Sequence, residues 1–260
     1  MTKIICLDAG HGGTDPGASG HGAQEKTFSL DRVLRVKEIL ENEYDGATVI
    51  LTRSNDSTVS LSERSSTANS AGADIFVSDH KNAFDGSARG FESFVYNGSI
   101  GEGTRDLQNK IHDKVASVMS SYGVPNRGKK SADFHVLRET SMSAVLLEEV
   151  FIDNLTDNNL MRESAFKEAY CRAVVEGIAD HLNLSSGGGK TKMVVVKVDT
   201  LNVRSRPSWE DSAIAGTVSK GEAFTVMDRV NVPGDSTDMY LLKSGLYITT
   251  SPTYVDVIYV

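Results

Sequence analysis

The sequence has little cysteine and no long apolar segment. Its two cysteines, Cys6 and Cys171, are far apart in the chain and form no Cys-x-x-Cys pair. We expect two buried, reduced thiols, although the sequence leaves a disulfide open. No apolar run approaches the length of about 20 residues that spans a bilayer, so we expect no membrane partner. The first strand is expected to begin at Lys3, which leaves no space for a signal peptide and predicts synthesis in the cytoplasm.

The sequence also lacks a basic excess, because 27 Lys and Arg residues stand against 35 Asp and Glu residues. The net charge of −8 falls entirely within residues 1–184, while residues 190–260 contain equal numbers of acidic and basic side chains. Nucleic-acid-binding proteins usually present a basic patch, so we do not expect nucleic acid as a partner. The hydrophobic share of 39% and the charged share of 24% are typical of globular domains.

The order of apolar segments predicts two domains of different class. In residues 1–184, short apolar runs alternate with segments of helical period, which predicts an α/β domain: a mixed twisted sheet with helices on both faces. Residues 185–192 include Ser-Ser-Gly-Gly-Gly and have the composition of a flexible linker. Residues 193–260 contain short β runs separated by Pro and Gly, which predicts a small all-β barrel. A monomer is expected.

The apolar pattern also predicts individual elements. In the first domain we expect strands at 3–8, 48–53, 73–80, 90–96, 134–138 and 144–152, and helices at 27–44, 61–71, 104–123 and 158–182. Lys129 and Lys130 are expected in a solvated loop. In the second domain we expect strands at 193–198, 201–204, 223–228, 239–242 and 246–249.

Three candidate ligands lie at the ends of predicted elements. His11 follows the first apolar run inside Asp8-Ala9-Gly10-His11-Gly12-Gly13, a glycine-rich segment typical of either a metal site or a phosphate-binding loop. Glu25 precedes a long amphipathic helix, and His80 ends another apolar run. Ligands of α/β sheets bind beyond the carboxyl ends of strands. Two histidines and one carboxylate in such places indicate an open zinc site.

A hydrolytic zinc site needs a general base, and the predicted strand 144–152 offers two carboxylates. Glu148 shares a pleat face with Ala144 and Leu146, where a carboxylate is costly unless it is paired or functional. Glu149 points to the opposite face. The pattern predicts that one of the two is catalytic and that the other lies at a solvated or edge side of the sheet. It does not decide which.

An ordered set of short motifs extends over residues 3–182. The set includes DAGHGG at 8–13, DPGA at 15–18, EK at 25–26, LTR at 51–53, ADIFVS at 73–78, GFE at 90–92, VLR at 136–138 and VLLE at 145–148. With these motifs the chain resembles the zinc-dependent N-acetylmuramoyl-L-alanine amidases of the amidase-3 type. The resemblance implies that His11, Glu25 and His80 bind Zn²⁺ and that Glu148 is catalytic. It also implies the substrate, the amide between N-acetylmuramic acid and L-alanine in peptidoglycan.

Three residues depart from the family pattern. Asp79 stands where an aliphatic residue is usual, Lys81 where small residues are common, and Val150 where glycine is usual. Asp79 is expected to point away from His80 on the strand, so we do not predict it as a ligand.

The last 70 or so residues resemble bacterial Src-homology-3-like (SH3-like) cell-wall-binding modules. The motif Leu201-Asn202-Val203-Arg204-Ser205-x-Pro207 and the ending around Tyr247 support that resemblance, which implies the Gram-positive cell wall as partner. The whole chain is then expected to be an endolysin that waits in the host cytoplasm and reaches the wall after holin-type release. Three alternatives are a mother-cell autolysin of sporulation, a wall-binding protein without activity, and another zinc amidohydrolase on the same scaffold.

Overall fold

The computed structural model describes residues 2–187, 191–232, 235 and 237–260. It consists of two compact units, Met1–Gly187 and Gly188–Val260. The predicted linker 185–192 lies partly outside the described residues, at 188–190. Its first residues, 185–187, belong to the first unit, where the N–H of Asp45 donates to Ser185 O over 3.0 Å. Among the described residues, no helix is both long and apolar enough to cross a membrane.

The first unit is built from strands and helices in alternation. The strands are β1 (Lys3–Ala9), β2 (Ser19–Gly20), β3 (Ala23–Gln24), β4 (Ala47–Leu51), β5 (Ile75–Asn82), β6 (Phe91–Tyr96), β7 (Asn126–Ala132) and β8 (Ser143–Phe151). The helices are α1 (Glu25–Glu43), α2 (Leu61–Ser70), α3 (Glu102–Ser121), α4 (His135–Arg138), α5 (Leu155–Arg162) and α6 (Ser164–Leu182). Within the described part of the chain, strands β2 and β3 pair only with each other, as a small antiparallel ladder just before α1.

A six-stranded mixed sheet forms the centre of this unit, in the order β4-β1-β5-β8-β6-β7. Strands β4, β1, β5 and β8 are parallel, β6 runs antiparallel to β8, and β7 is parallel to β6. The carboxyl ends of β1 and β5 therefore lie side by side at one edge of the sheet. The mixed α/β sheet with helices that the sequence predicts is confirmed.

Each face of the sheet is covered by helices, because side chains of alternate parity enter two separate cores. Ile5, Val77 and Leu147 belong to the larger core with side chains of α1, α3 and α6. Cys6 and Phe76 belong to a smaller core with α2 and α4. Cys171 lies in the larger core, so the two buried cysteines are free thiols in different cores.

Two elements of the first unit differ from the prediction. Residues 134–138 were predicted as a strand, but His135–Arg138 form helix α4, because Val136 and Leu137 are adjacent and both buried in the smaller core. A strand would have sent them to opposite faces. Lys129 and Lys130 lie in edge strand β7 and not in a loop. The sequence of β7 is polar and shows no alternation of apolar and polar residues, because an edge strand is exposed to solvent.

The predicted final helix is two helices. Asn154 is the N-cap of α5, and its side chain accepts hydrogen bonds from the N–H groups of Thr156 and Asp157. Glu163 is extended, with φ −76° and ψ 128°, and separates α5 from α6. Because no proline or glycine marks this break, the sequence pattern did not reveal it.

The second unit is an all-β structure with its own core. Its strands are β9 (Lys192–Val196), β10 (Leu201–Arg204), β11 (Ile214–Val218), β12 (Ala223–Val230), β13 (Met239–Leu242), β14 (Tyr247–Thr249) and β15 (Val255–Tyr259). They pair antiparallel in the order β11-β10-β14-β13-β12-β9-β15. Strands β11 and β15 were not predicted from the sequence. Val194, Val203 and Ile248 are among the side chains that fill this core.

Candidate metal centre

The three predicted ligands converge at the edge of the sheet where β1 and β5 end. One ligand atom from each of His11, Glu25 and His80 lies within 4.8 Å of the others. His11 Nε2 is 3.2 Å from Glu25 Oε2, and His80 Nδ1 is 2.8 Å from Glu25 Oε1. The two imidazole rings meet edge to face, with centroids 5.1 Å apart. Glu25 is the first residue of α1, whereas the sequence predicted a helix that begins two residues later, at residue 27.

The glycines of the site are required by close approach. A Cβ at Gly10 would lie 2.4 Å from His80 Cε1, and a Cβ at Gly17 would lie 2.5 Å from His11 Cδ2. Gly17 also has φ +66°, a backbone conformation that glycine adopts without strain. These contacts explain why the chain around His11 is so rich in glycine.

His11 itself has an unusual backbone conformation, with φ +60°. A non-glycine residue in the left-handed region needs compensating contacts, and two buried arginines supply them. Arg64 Nη2 donates to His11 O over 2.6 Å, and Arg53 Nη2 donates to Gly10 O over 2.8 Å. Asp15 Oδ2 lies 2.8 Å from His11 Nδ1, which leaves Nε2 directed at Glu25. A carboxylate behind a histidine ligand is common in zinc sites, where it fixes the ring.

The surroundings of Glu25 stabilise its ionised form. Its side chain is buried and accepts the N–H of Ala18 over 2.8 Å and the N–H of Lys81 over 2.9 Å. Burial alone would raise the pKa of Glu25, but hydrogen bonds and charge interactions with His11 and His80 hold it well below the usual value of 4.5. The same contacts act on His11: burial opposes the charged ring, yet Glu25 and Asp15 raise the pKa of His11 to about 8.

Glu148 lies on the central strand β8, directly beside the ligands. Its register partner on β5 is His80, and its partner on β6 is Glu92. Its Oε2 is buried and has no hydrogen-bond partner in the structure. Burial, followed by the negative charges of Glu25 and Glu92, raises the pKa of Glu148 well above 4.5, although Lys81 opposes the shift. This carboxylate therefore has a high proton affinity and an unsatisfied oxygen.

Sequence reasoning gave no role to Glu92, although it lies on the same pleat face as Glu148. Glu92 is buried and accepts hydrogen bonds from Asn82 Nδ2 over 2.7 Å and from Arg127 Nε over 2.8 Å. Lys130 Nζ donates to it as well. A carboxylate between Phe91 and Phe94 in an apolar run was the available signal for this residue.

The prediction for Glu149 was wrong. Its side chain is neither solvated nor at an edge, because β8 is central and α1 and α6 cover that face of the sheet. Glu149 is fully buried and pairs with Arg32 and Lys81. Asp79 also points away from His80, as expected, and contacts Lys81 and Tyr170.

Comparison with known proteins is consistent with this geometry. Residues 5–180 match the family model described as N-acetylmuramoyl-L-alanine amidase. The chain is 43% identical to the endolysin of Bacillus phage SPP1 over 274 aligned positions, which cover 99% of both chains. It is also 43% identical to the sporulation-specific N-acetylmuramoyl-L-alanine amidase of Bacillus subtilis over 202 positions, 76% of each chain.

Solved structures of amidases are similar as well. The catalytic domain of CwlV, an N-acetylmuramoyl-L-alanine amidase from Bacillus (Paenibacillus) polymyxa, superposes with a TM-score of 0.66 at 32% identity. The match covers 71% of this chain and all of that domain.

Proposed function

The chain belongs to the N-acetylmuramoyl-L-alanine amidase family and is a peptidoglycan hydrolase, and we propose that it works as a zinc enzyme. In this proposal His11, Glu25 and His80 bind the ion and Glu148 is the general base. The main support is one observation: three donor groups converge beside the partly buried carboxylate of Glu148, whose buried Oε2 lacks a hydrogen-bond partner. An unsatisfied buried oxygen is costly in a structural carboxylate and is expected of one that receives a proton from the attacking water.

The donor set fits zinc. Two imidazoles and one carboxylate are a known catalytic zinc set, which leaves a coordination position open. Calcium and magnesium prefer sites made of oxygen ligands. The low pKa of Glu25 keeps that ligand ionised at neutral pH, while His11, with a pKa of about 8, releases a proton when a metal ion binds.

The residues divide the reaction between them. When bound, the ion supplies a Lewis acid that polarises the scissile carbonyl and acidifies a water molecule. Glu148 accepts a proton from the attacking water and delivers it to the leaving amine of L-alanine. A carboxylate with an ordinary pKa would hold that proton weakly, and the raised pKa of Glu148 increases its affinity for the proton. Asp15 keeps the His11 ring oriented, and Arg53 and Arg64 hold the loop carbonyls behind it.

The test is digestion of purified Gram-positive peptidoglycan, with identification of the new chain end. We expect new amino-terminal alanine, loss of its release after treatment with a chelator, and recovery after addition of Zn²⁺. Release that continues in the chelated, metal-depleted enzyme would contradict the zinc proposal. New ends other than alanine, such as released acetate, would favour another amidohydrolase reaction.

For the second unit, we propose an SH3-like module that binds the cell wall, in an endolysin made in the host cytoplasm and released through holin-type pores. The support is the separate all-β core and the similarity to the SPP1 endolysin along 99% of both chains. The Glu148→Gln variant of the full chain, which binds without cutting, should sediment with purified walls. A chain that stays in the supernatant would contradict wall binding.

A second candidate setting is sporulation, because the sporulation-specific amidase of Bacillus subtilis matches 76% of the chain at 43% identity. Under the endolysin proposal the enzyme lyses vegetative cells from the outside or after induced permeabilisation. Lysis restricted to sporangia would favour a mother-cell autolysin.

A further inference from the structure

A cluster of charged side chains is buried directly behind the metal centre. Asp79, Lys81, Glu149 and Arg32 are 4%, 2%, 0% and 1% exposed, and the buried Tyr170 completes the cluster. They occupy the sheet face that packs against α1 and α6, opposite to the face of His80 and Glu148. The members come from β5, β8, α1 and α6.

The members of the cluster contact one another in a chain. Lys81 Nζ donates to Asp79 Oδ1 and lies 3.1 Å from Glu149 Oε2, an ion contact outside hydrogen-bond geometry. Arg32 Nε donates to Glu149 Oε1 over 2.9 Å. The hydroxyl of Tyr170 donates to Asp79 Oδ2 over 2.7 Å. The cluster thus links strands β5 and β8 to helices α1 and α6.

The ion contact between Lys81 and Glu149 spans an irregularity in the sheet. Pairing of β5 with β8 is regular as far as the pair His80 and Glu148. The next pair is Asn82 and Phe151, so one residue intervenes on β5 and two intervene on β8. Glu149 and Val150 therefore both lie opposite Lys81, which is a β-bulge. Bulges beside active sites change the direction of neighbouring side chains. Here the bulge begins immediately after the register pair of ligand and base.

We propose that Lys81 and Glu149 are positioning residues that hold this bulge, and thereby the spacing of His80 and Glu148. Lys81 acts on the site in a second way, because its backbone N–H donates to Glu25 Oε1 over 2.9 Å. When the Lys81 side chain is fixed by Asp79 and Glu149 on one face, its amide is fixed on the other. The inference rests on the proposed roles of His80, Glu25 and Glu148.

Stability alone does not account for charges at these positions. A buried ion pair loses its hydration, and well-packed apolar side chains of similar size are often equally or more stabilising. Apolar side chains would, however, fill the space behind β5 and β8 in more than one register. A directional contact between one cation and two carboxylates specifies a single register, which is the property that an active site with paired strands requires.

Two variants of the full chain test the proposal. Glu149→Gln removes the ion contact across the bulge but leaves Lys81 with Asp79 and Arg32 with Asp31. The double variant Asp79→Asn/Lys81→Met removes one charge of each sign and leaves Glu149 with Arg32. The control is Glu168→Gln, which removes the carboxylate that pairs with Arg35 between the same two helices, α1 and α6.

For each variant the readouts are the melting temperature, the Zn²⁺ affinity in competition with a chelator, and the apparent kcat and KM for release of amino-terminal alanine. In both cluster variants we expect kcat to fall by about tenfold or more and Zn²⁺ affinity to weaken by about tenfold, with KM within about twofold. The control should keep wild-type kcat and Zn²⁺ affinity, with a melting temperature close to that of the wild type.

Cluster variants whose kcat and Zn²⁺ affinity equal those of Glu168→Gln would overturn the proposal and reduce the cluster to a role in stability. The double variant decides the question if Glu149→Gln does not fold, because it keeps the buried charge balanced. If the wild-type protein bound Zn²⁺ but released no alanine, the proposed function would fail, while the affinity measurements would still test the positioning role.

Discussion

The two faces of strands β5 and β8 differ in how their charged side chains are compensated. On the face towards α1 and α6, Asp79, Lys81 and Glu149 contact groups of opposite charge or a hydroxyl. On the other face Glu148 is partly buried and its buried Oε2 has no hydrogen-bond partner, beside other carboxylates. The same two strands thus supply a compensated cluster and an uncompensated site. The difference teaches that burial of a charge does not by itself identify a catalytic residue, because the charges that face the buried group decide whether it is compensated.

The same substitution, glutamate to glutamine, is expected to change stability in opposite directions on the two faces of the sheet. Glu149→Gln should lower the free energy of unfolding by about 3 kcal/mol, since it removes one partner of a buried pair. Glu148→Gln should leave it unchanged or raise it at pH 7. The pKa of Glu148 is raised in the folded state, so the ionised carboxylate destabilises the fold above the usual glutamate pKa of 4.5. Urea unfolding of the two variants measures both effects, and a loss of stability in Glu148→Gln would break the comparison.

A second compensated charge lies in β1, and it predicts an acid-sensitive contribution to stability. Asp8 is fully buried and accepts hydrogen bonds from Arg64 Nη1, Thr52 Oγ1 and Ser78 Oγ over 2.6–2.7 Å. Burial would raise the pKa of Asp8, but Arg64 and the two hydroxyls hold it below 3.8. We expect Asp8→Asn to lose about 2 kcal/mol at pH 7.

The sign of the pH effect follows from that shift. A carboxylate with a lowered folded-state pKa stabilises the fold above its ordinary pKa, and the contribution disappears as the pH falls through the folded-state value. Wild-type stability should therefore decline more steeply than that of Asp8→Asn as the pH falls below about 4. If the stabilities of the two proteins fell equally steeply with decreasing pH, Asp8 would make no pH-dependent contribution to stability.

The uncompensated site predicts that metal binding depends on pH. Because Glu25 and Asp15 raise the pKa of metal-free His11 to about 8, Zn²⁺ must displace a proton from His11 at neutral pH. Affinity should rise with pH up to about 8 and then level off. Asp15→Asn removes one of the groups that raise this pKa, so its affinity should level off at lower pH. Calorimetry in buffers of different ionisation enthalpy measures the released proton, and identical pH profiles of the two proteins would refute the role of Asp15.

The smallest effect is expected where a charge pair is partly solvated. Glu168 pairs with Arg35 on the outer side of α1 and α6, with 28% of the Glu168 side chain exposed. Burial would raise the pKa of Glu168, but Arg35 and Arg172 lower it, and solvent screens such pairs. Glu168→Gln should cost at most about 1 kcal/mol in thermal unfolding. A loss as large as that of Glu149→Gln would remove the distinction between buried and solvated pairs.

Much of the site could be predicted because its residues stand at the ends of elements. His11, Glu25 and His80 each adjoin an apolar segment, and the polarity of β1 and β5 brings their ends together. The role of Glu149 could not be predicted in this way. The alternation of side chains along a strand shows on which face of the sheet a residue lies, but only the packing of the helices shows whether that face is exposed to solvent. Likewise, Lys81 departs from the family pattern, and only the folded structure brings it against Asp79 and Glu149.

Errors in the fold have equally local reasons. Strand β7 is polar because it lies at the sheet edge, and α4 is too short for a helical period to be recognised. Glu92 and the two arginines behind His11 act through contacts that are distant in sequence. Arg64 donates to His11 O across 53 positions of the chain. Such contacts exist only in the folded structure, so spacing in the sequence contains no signal for them.

The central claim is that His11, Glu25 and His80 bind zinc while Glu148 moves the proton. The most direct test measures bound zinc and released amino-terminal alanine on the same preparation of Glu148→Gln. We expect one zinc ion per chain, as in the wild type, with alanine release reduced by about a hundredfold or more. A variant that binds zinc and releases alanine at the wild-type rate would show that another group is the base.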